Sequence, residues 1–264
     1  MATGMTSGSI DKALSVLEAV AQHSRVTDIA VDTGLPKSTV HRILQSLVGW
    51  GFARTDGNGG YLPGPRILTL AGRVMNRFDP ARHAGAALRE MRDSTGLTVH
   101  FAIRNGDEAV YVEKLEGRRP YQMRPRIGMS VPLHTTAIGK AILAHLTGAE
   151  VAEIVGRSGM KPMTERSLTT PAALQEQLAE SRLRGYSIDD GENDPDINCI
   201  GAAVFDHTGT VMGGVSISAL EFDLDLRDEA LAAAVISGAR QASLALGAPP
   251  ELVETGLLPG APAA

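Results

Sequence analysis

Cysteine is all but missing from this 264-residue chain, and the lone Cys199 excludes an internal disulfide framework and fits a reducing cytoplasm. Nothing resembles a membrane span. The N-terminal stretch MATGMTSGSIDKA has no basic segment followed by an apolar run, so no secretory signal is expected. Internal repeats of 20 to 50 residues are absent, which argues against repeat architectures. The histidines lack metal-ligand spacing, and there is neither a phosphate loop nor a nucleophile elbow, so no metal or cofactor is expected. An excess of positive charge is also lacking: 25 Lys and Arg stand against 30 Asp and Glu, the wrong balance for a chain that binds nucleic acid over its whole surface.

What is present is ordinary globular material, 43% hydrophobic and 21% charged, long enough for two domains with a core each. The stretch Val26 to Tyr61 carries the sharpest pattern. A short helix is expected from Thr27, whose hydroxyl can cap it, with Gly34 supplying a left-handed stop. Pro36 opens the next helix, in which Val40, Ile43, Leu44 and Leu47 recur at helical spacing and form a core face. Its other face presents Lys37, Ser38, His41, Arg42 and Gln45, donors suited to phosphates and base edges. Gly49 and Gly51 end the helix around Trp50, and Phe52 to Thr55 and Tyr61-Leu62 flank the tip Asp56-Gly57-Asn58-Gly59-Gly60, a hairpin expected to be flexible there. This order predicts a winged helix-turn-helix whose candidate DNA contacts are Thr27, Lys37, Ser38, Thr39, His41, Arg42, Gln45 and Arg54. An ordinary solvated face is the alternative for Lys37, Arg42 and Arg54.

The charge divides accordingly. Residues 1–78 hold 8 basic and 5 acidic side chains, the remainder 17 and 25. So small a surplus implies weak binding by one copy and a dimer reading two half-sites. An amphipathic helix is expected over Ile10 to Ala21, a linker helix over Ile67 to Phe78 after Pro63-Gly64-Pro65. The domain boundaries read as 9–63 for the DNA reader, 64–80 for the linker, 81–247 for a second domain and 248–264 for a loose tail.

Four blocks at characteristic intervals then give a resemblance: Leu35 to Leu44 (LPKSTVHRIL), His134 to Ala141 (HTTAIGKA), Arg184 to Asp190 (RGYSIDD) and Val215 to Ser218 (VSIS). Together they resemble the IclR family of bacterial transcriptional regulators over about residues 9–247. The resemblance implies a repressor or activator with a GAF- or PAS-like effector domain behind the DNA reader, and dimers that often pair into tetramers. The residues agree with an α+β class and a central antiparallel sheet. Helices are expected over Ala81–Ser94, Thr135–Leu146, Pro171–Leu183 and Leu224–Leu246. Strands are expected over Val99–Ile103, Ala109–Lys114, Tyr121–Ile127, from Tyr186, and over Cys199–Phe205 and Val211–Ser218.

In the last of these strands a period of two puts Met212, Gly214, Ser216 and Ser218 on one face, with Gly214 leaving room beside the two hydroxyls. His134-Thr135-Thr136 opens a helix whose free amides favour an anion, so a small carboxylate is the expected guest. The resemblance places the family's effector contacts on the amides of Ala137 and Ile138 and on Asp189, Cys199, Ser216 and Ser218, with Met123 and Ile197 as apolar wall. Family members that bind small oxo-acids can have Gly where this chain has Ala137. Asp189 is expected to take a hydrogen bond from an effector hydroxyl or to pair with a base. Two alternatives stand beside this reading: an enzyme using Cys199 with His134, His100 or His207, and an architectural DNA protein with no effector.

Overall fold

The computed structural model describes residues 8–75, 79–120 and 124–255, and they divide into two units, residues 1–78 and 79–264.

In the first unit α1 (Ser9–Ala19), α2 (Val26–Thr33) and α3 (Lys37–Gly49) precede the strands β1 (Ala53–Thr55) and β2 (Tyr61–Pro63) and helix α4 (Pro65–Met75). Val16, Ile29, Val40 and Leu44 have no exposed surface and form the core, with Ile43 and Leu47 packed at its margin. Gly34 caps α2 at φ 65°, in the left-handed region a side chain resists. Thr27 is not the cap expected of it. The helix begins one residue earlier, after Arg25, and the Thr27 hydroxyl donates to Asp28 instead. Likewise Pro36 is the N-cap of α3 rather than part of its first turn. The strands pair antiparallel, Arg54 opposite Leu62. Their tip is tied rather than loose: Asp56 Oδ1 accepts the N–H groups of Asn58 and Gly60 at 2.7 and 2.8 Å, which holds its carboxyl below the usual range.

In the second unit α5 (Pro80–Thr95) leads into β3 (Thr98–Asn105), β4 (Glu108–Leu115), β5 (Ser130–Pro132), α6 (Ala137–Ala144), α7 (Gly148–Ser158) and α8 (Pro171–Arg184). These are followed by β6 (Ser187–Asp190), β7 (Ile197–Phe205), β8 (Val211–Leu220), α9 (Glu229–Ala245) and α10 (Pro250–Thr255). The sheet order is β5-β4-β3-β8-β7-β6, with every pairing antiparallel. Helix α6 packs on β7 and β8, and α9 packs on β7 and on α5. Both sheet faces are covered, since Phe101, Val215 and Ile217 are as buried as the alternate residues beside them.

Several expectations need correction. No strand runs through residues 124–127, residues 121–123 lie outside the described residues, and the edge strand is instead Ser130–Pro132. The helix expected from Thr135 starts at Ala137 because Thr136 is its N-cap, its hydroxyl oxygen accepting the N–H of Gly139. Leu224 is extended and α9 begins after Asp228, whose carboxylate caps two amides. Residues 250–255, expected in a loose tail, form α10, while α7 was not expected at all.

Candidate nucleic-acid interface and ligand cavity

Helix α3 turns Val40 and Leu44 inward and leaves Lys37, Ser38, His41, Arg42 and Gln45 exposed, with Thr39 half-buried. Arg54 is exposed on β1, and Thr27 on α2. Not all of these are free for a partner. Gln45 Nε2 donates to the hydroxyl of Tyr61 at 2.8 Å, and His41 meets the same ring edge-on at 6.4 Å. Tyr61 in turn donates its N–H to Ser24 O at 2.7 Å, so the wing is anchored to both the recognition helix and the turn before α2. Lys37, Ser38 and Arg42 keep their donors free of any described protein hydrogen bond or ion pair.

The second unit holds a partly open cavity of about 340 Å³ between α6 and the sheet. Ala137, Ile138, Asp189, Ile197, Cys199, Ser216 and Ser218 all line it, and Met123 lies outside the described residues. Sheet register explains how residues so far apart in sequence meet: Asp189 stands opposite Cys199, and Cys199 opposite Ser218, in one row across β6, β7 and β8. Two residues along, Gly201, Ser216 and His100 make the next row on the same face. Gly201 is required there, because a Cβ would lie 2.9 Å from the Ala137 carbonyl carbon. Gly214 serves the same packing. It leaves room for Ile138 of α6, 3.2 Å from where its Cβ would be, rather than for a ligand.

Polar groups converge on the cavity from several directions. At the start of α6 the hydroxyl of Thr136 takes the Gly139 N–H, and the Thr136 carbonyl takes that of Lys140 at 2.9 Å. The N–H groups of Ala137 and Ile138 have no partner among the described residues, as the first turn of a helix dictates. Asp189 Oδ1 accepts the N–H groups of Glu192 and Asn193 at 2.7 and 3.2 Å, so its bonded partners are backbone amides rather than a base. Burial nevertheless raises its carboxyl to about 7, against the opposing pull of Lys140 and those amides. Cys199 donates its S–H to Ser218 Oγ at 3.2 Å, and burial pushes the thiol well above its ordinary range.

The same geometry weighs against thiol catalysis. His134 is bonded to the Lys161 carbonyl, His207 is exposed in the β7–β8 turn, and His100 meets Ser218 rather than the sulfur.

Some residues of the site were not legible beforehand. Tyr111 and Asn193 line the cavity, and behind it Lys140 is buried against Glu192. The signal for Lys140 was its position as the single charge in the apolar run AIGKAILA.

Two family models match this chain, the IclR helix-turn-helix domain over residues 9–57 and the bacterial transcriptional regulator IclR C-terminal domain over residues 72–244. The chain belongs to the IclR family. It is therefore a DNA-binding transcriptional regulator and not an enzyme. Among IclR-family relatives, it is 33% identical over 221 residues to the HTH-type transcriptional regulator XynR of Escherichia coli, covering 82% of this chain and 88% of that one. It is 32% identical over 242 residues to the regulator BhcR of Paracoccus denitrificans, covering 90% and 87%. The crystal structure of Thermotoga maritima IclR matches with 31% identity and a TM-score of 0.62, over 90% of this chain and 98% of that one. Among the described residues no helix is long and apolar enough to cross a membrane.

Proposed function

We propose that the cavity of the second unit binds a small carboxylate metabolite and that its occupancy changes the affinity of the first unit for an operator. The observation that carries this reading is the convergence, in one cavity, of the amides of Ala137 and Ile138, unpaired among the described residues, with Asp189, Cys199, Ser216 and Ser218. Free N–H groups at the positive end of a helix favour an anion, and the hydroxyls, the thiol and a readily protonated carboxyl supply orientation. Ile197 contributes apolar wall.

On the DNA side, Lys37, Ser38, Thr39, His41 and Arg42 of α3 enter the major groove. Gln45 keeps one edge for the DNA while holding Tyr61. Arg54 on the wing and Thr27 on α2 contact the flanking backbone. The protein acts in the cytoplasm as a homodimer or tetramer. Two readers then meet two half-sites, and the effector prefers one arrangement of the readers. The weak positive charge of residues 1–78 supports that stoichiometry, because a single copy neutralises few phosphates.

The test is a gel-shift titration on the DNA upstream of the protein's own gene, with and without a panel of organic acids, paired with thermal melting in the same acids. A specific shift that one acid strengthens or abolishes, together with a raised melting temperature, is the expected result. A specific shift indifferent to every acid would leave an architectural DNA protein and remove the effector.

A further inference from the structure

His100 is buried on β3 with 1% of its surface exposed, and its side chain lines the cavity beside Tyr111, whose ring centroid is 5.1 Å away. Its Nδ1 lies 3.3 Å from Ser218 Oγ, while Nε2 is buried with no hydrogen-bond partner among the described residues. The tautomer we assign follows from taking Cys199 as the donor to Ser218. Cys199 gives its S–H to Ser218, so the Ser218 hydroxyl hydrogen remains available for Nδ1. A neutral imidazole that accepts at Nδ1 carries its hydrogen on Nε2. The ring is neutral, because burial and the neighbouring Lys114 hold it at about 3. His100, a residue of the cavity wall, thus holds a buried N–H without an acceptor among the described residues, an arrangement that native structures rarely leave unresolved.

We propose that His100 reads a second oxygen of the ligand, so that the effector is a monocarboxylic acid with a hydroxyl or oxo oxygen at the end remote from its carboxylate. This rests on the proposed carboxylate site at Ala137 and Ile138. The remote group is an uncharged oxygen because the neutral His100 ring offers it a single N–H; Asp194 and Asp196 also line the cavity, with Arg124 3.8 Å from Asp194. Tyr111, Met129, Val131 and Leu220 also line the cavity and offer apolar wall, which suits a ring or short chain. A volume of about 340 Å³ lies in the range of ordinary ligand pockets and is larger than a two-carbon acid fills.

The experiment compares acids that differ only in the remote oxygen: cyclohexanecarboxylate with its 4-hydroxy and 4-oxo forms, and hexanoate with 6-hydroxyhexanoate and 5-oxohexanoate. Binding is measured by calorimetry on the full chain, wild type, His100→Phe and His100→Gln. The wild type is expected to prefer an oxygenated member by about tenfold or more. His100→Phe should bind the two members of that pair equally, and His100→Gln, which keeps an N–H, should recover part of the preference. Equal affinity within every pair in the wild type overturns the role of His100 and leaves the carboxylate site standing. Binding of no acid at all overturns both. Should His100→Phe fail to fold, nitrogen NMR of the wild-type imidazole decides the point, since a hydrogen on Nδ1 rather than Nε2 is incompatible with the donor role.

Discussion

The ammonium group of Lys140 meets the carboxylate of Glu192 in the interior of the second unit, with 0% and 4% of the two side chains exposed. Gln177 Oε1 accepts a further hydrogen bond from the same Nζ at 2.6 Å, while Glu192 Oε2 has no partner among the described residues. Burial pulls the lysine down and pushes the glutamate up, and each partner opposes the shift of the other. The pair joins the middle of α6 to the loop after β6, which also carries Asn193 into the cavity and is tied at its start by Thr164 and Ser167.

Removing one member strands the other. Lys140→Met is expected to cost about 3–5 kcal/mol in urea unfolding, because an uncompensated carboxylate remains in the interior. The double variant Lys140→Met, Glu192→Met should recover a large part of that loss. Simple addition of the two single effects would show that the pair is not coupled.

Glycines in the same unit separate close packing from mere flexibility. A Cβ on Gly139 would lie 2.4 Å from the Leu133 backbone, whereas one on Gly156, exposed in α7, meets nothing within 4 Å. Gly139→Ala is expected to destabilise by about 3 kcal/mol through overpacking. Gly156→Ala should stabilise by about 0.5–1 kcal/mol, by restricting the unfolded chain and favouring the helix. Similar melting temperatures for the two variants would contradict this account of the His134–Ala141 segment.

These contrasts show what the sequence could and could not disclose. The helix-turn-helix was legible because Gly34, the helical stripe from Val40 to Leu47 and the Gly-rich hairpin each follow from local chemistry. The cavity residues could be placed on strands, but that Asp189, Cys199 and Ser218 stand in one row depends on register between β6, β7 and β8, which no local rule fixes. Helix α7 carried a readable signal, the reciprocal cap of Thr147 and Glu150. Strand β5 did not: three residues ending in Pro132 have no strand periodicity to read. Glu192 sat in the charged run DDGENDPD, which reads as solvated surface, and only tertiary packing buries it.

The raised carboxyl of Asp189 makes a prediction about pH. Held at about 7 against 3.8 in an unconstrained chain, it lets the folded state bind more protons than the unfolded state between roughly pH 4 and 7, so its contribution to stability falls as pH rises through that window. His100 and His145, held at about 3 and about 4 by burial, act oppositely: the unfolded chain takes up their protons first, and stability falls as pH drops below about 6.5. Asp189→Asn isolates the first effect, since the amide oxygen can still accept from Glu192 and Asn193. At pH 8 the variant is expected to be more stable than wild type by on the order of 1–3 kcal/mol, the difference closing by pH 4. Parallel melting curves against pH would remove the raised carboxyl from the account.

The two units should also be separable in function. Arg42 is exposed on the face of α3 opposite Val40 and Leu44 and is not among the residues that line the cavity. Arg42→Ala is expected to weaken operator binding by about 1–3 kcal/mol, roughly 5- to 150-fold, and to lower the salt dependence if the contact is to phosphate. Melting-temperature shifts caused by organic acids should be unchanged, because α3 contributes nothing to the cavity. Ser216→Ala with Ser218→Ala should do the reverse, abolishing the acid-induced shift while leaving operator affinity without acid near that of wild type. Ser216 and Ser218 both line the cavity, and Ser218 takes the Cys199 S–H and meets His100 Nδ1, so their loss disturbs the cavity wall without touching the core of residues 1–78. Titrations of both variants with labelled operator and with acid separate the activities directly. Equal loss of both activities in either variant would mean that operator and acid are not recognised by separate units, and linkage between distinct sites would have to be abandoned.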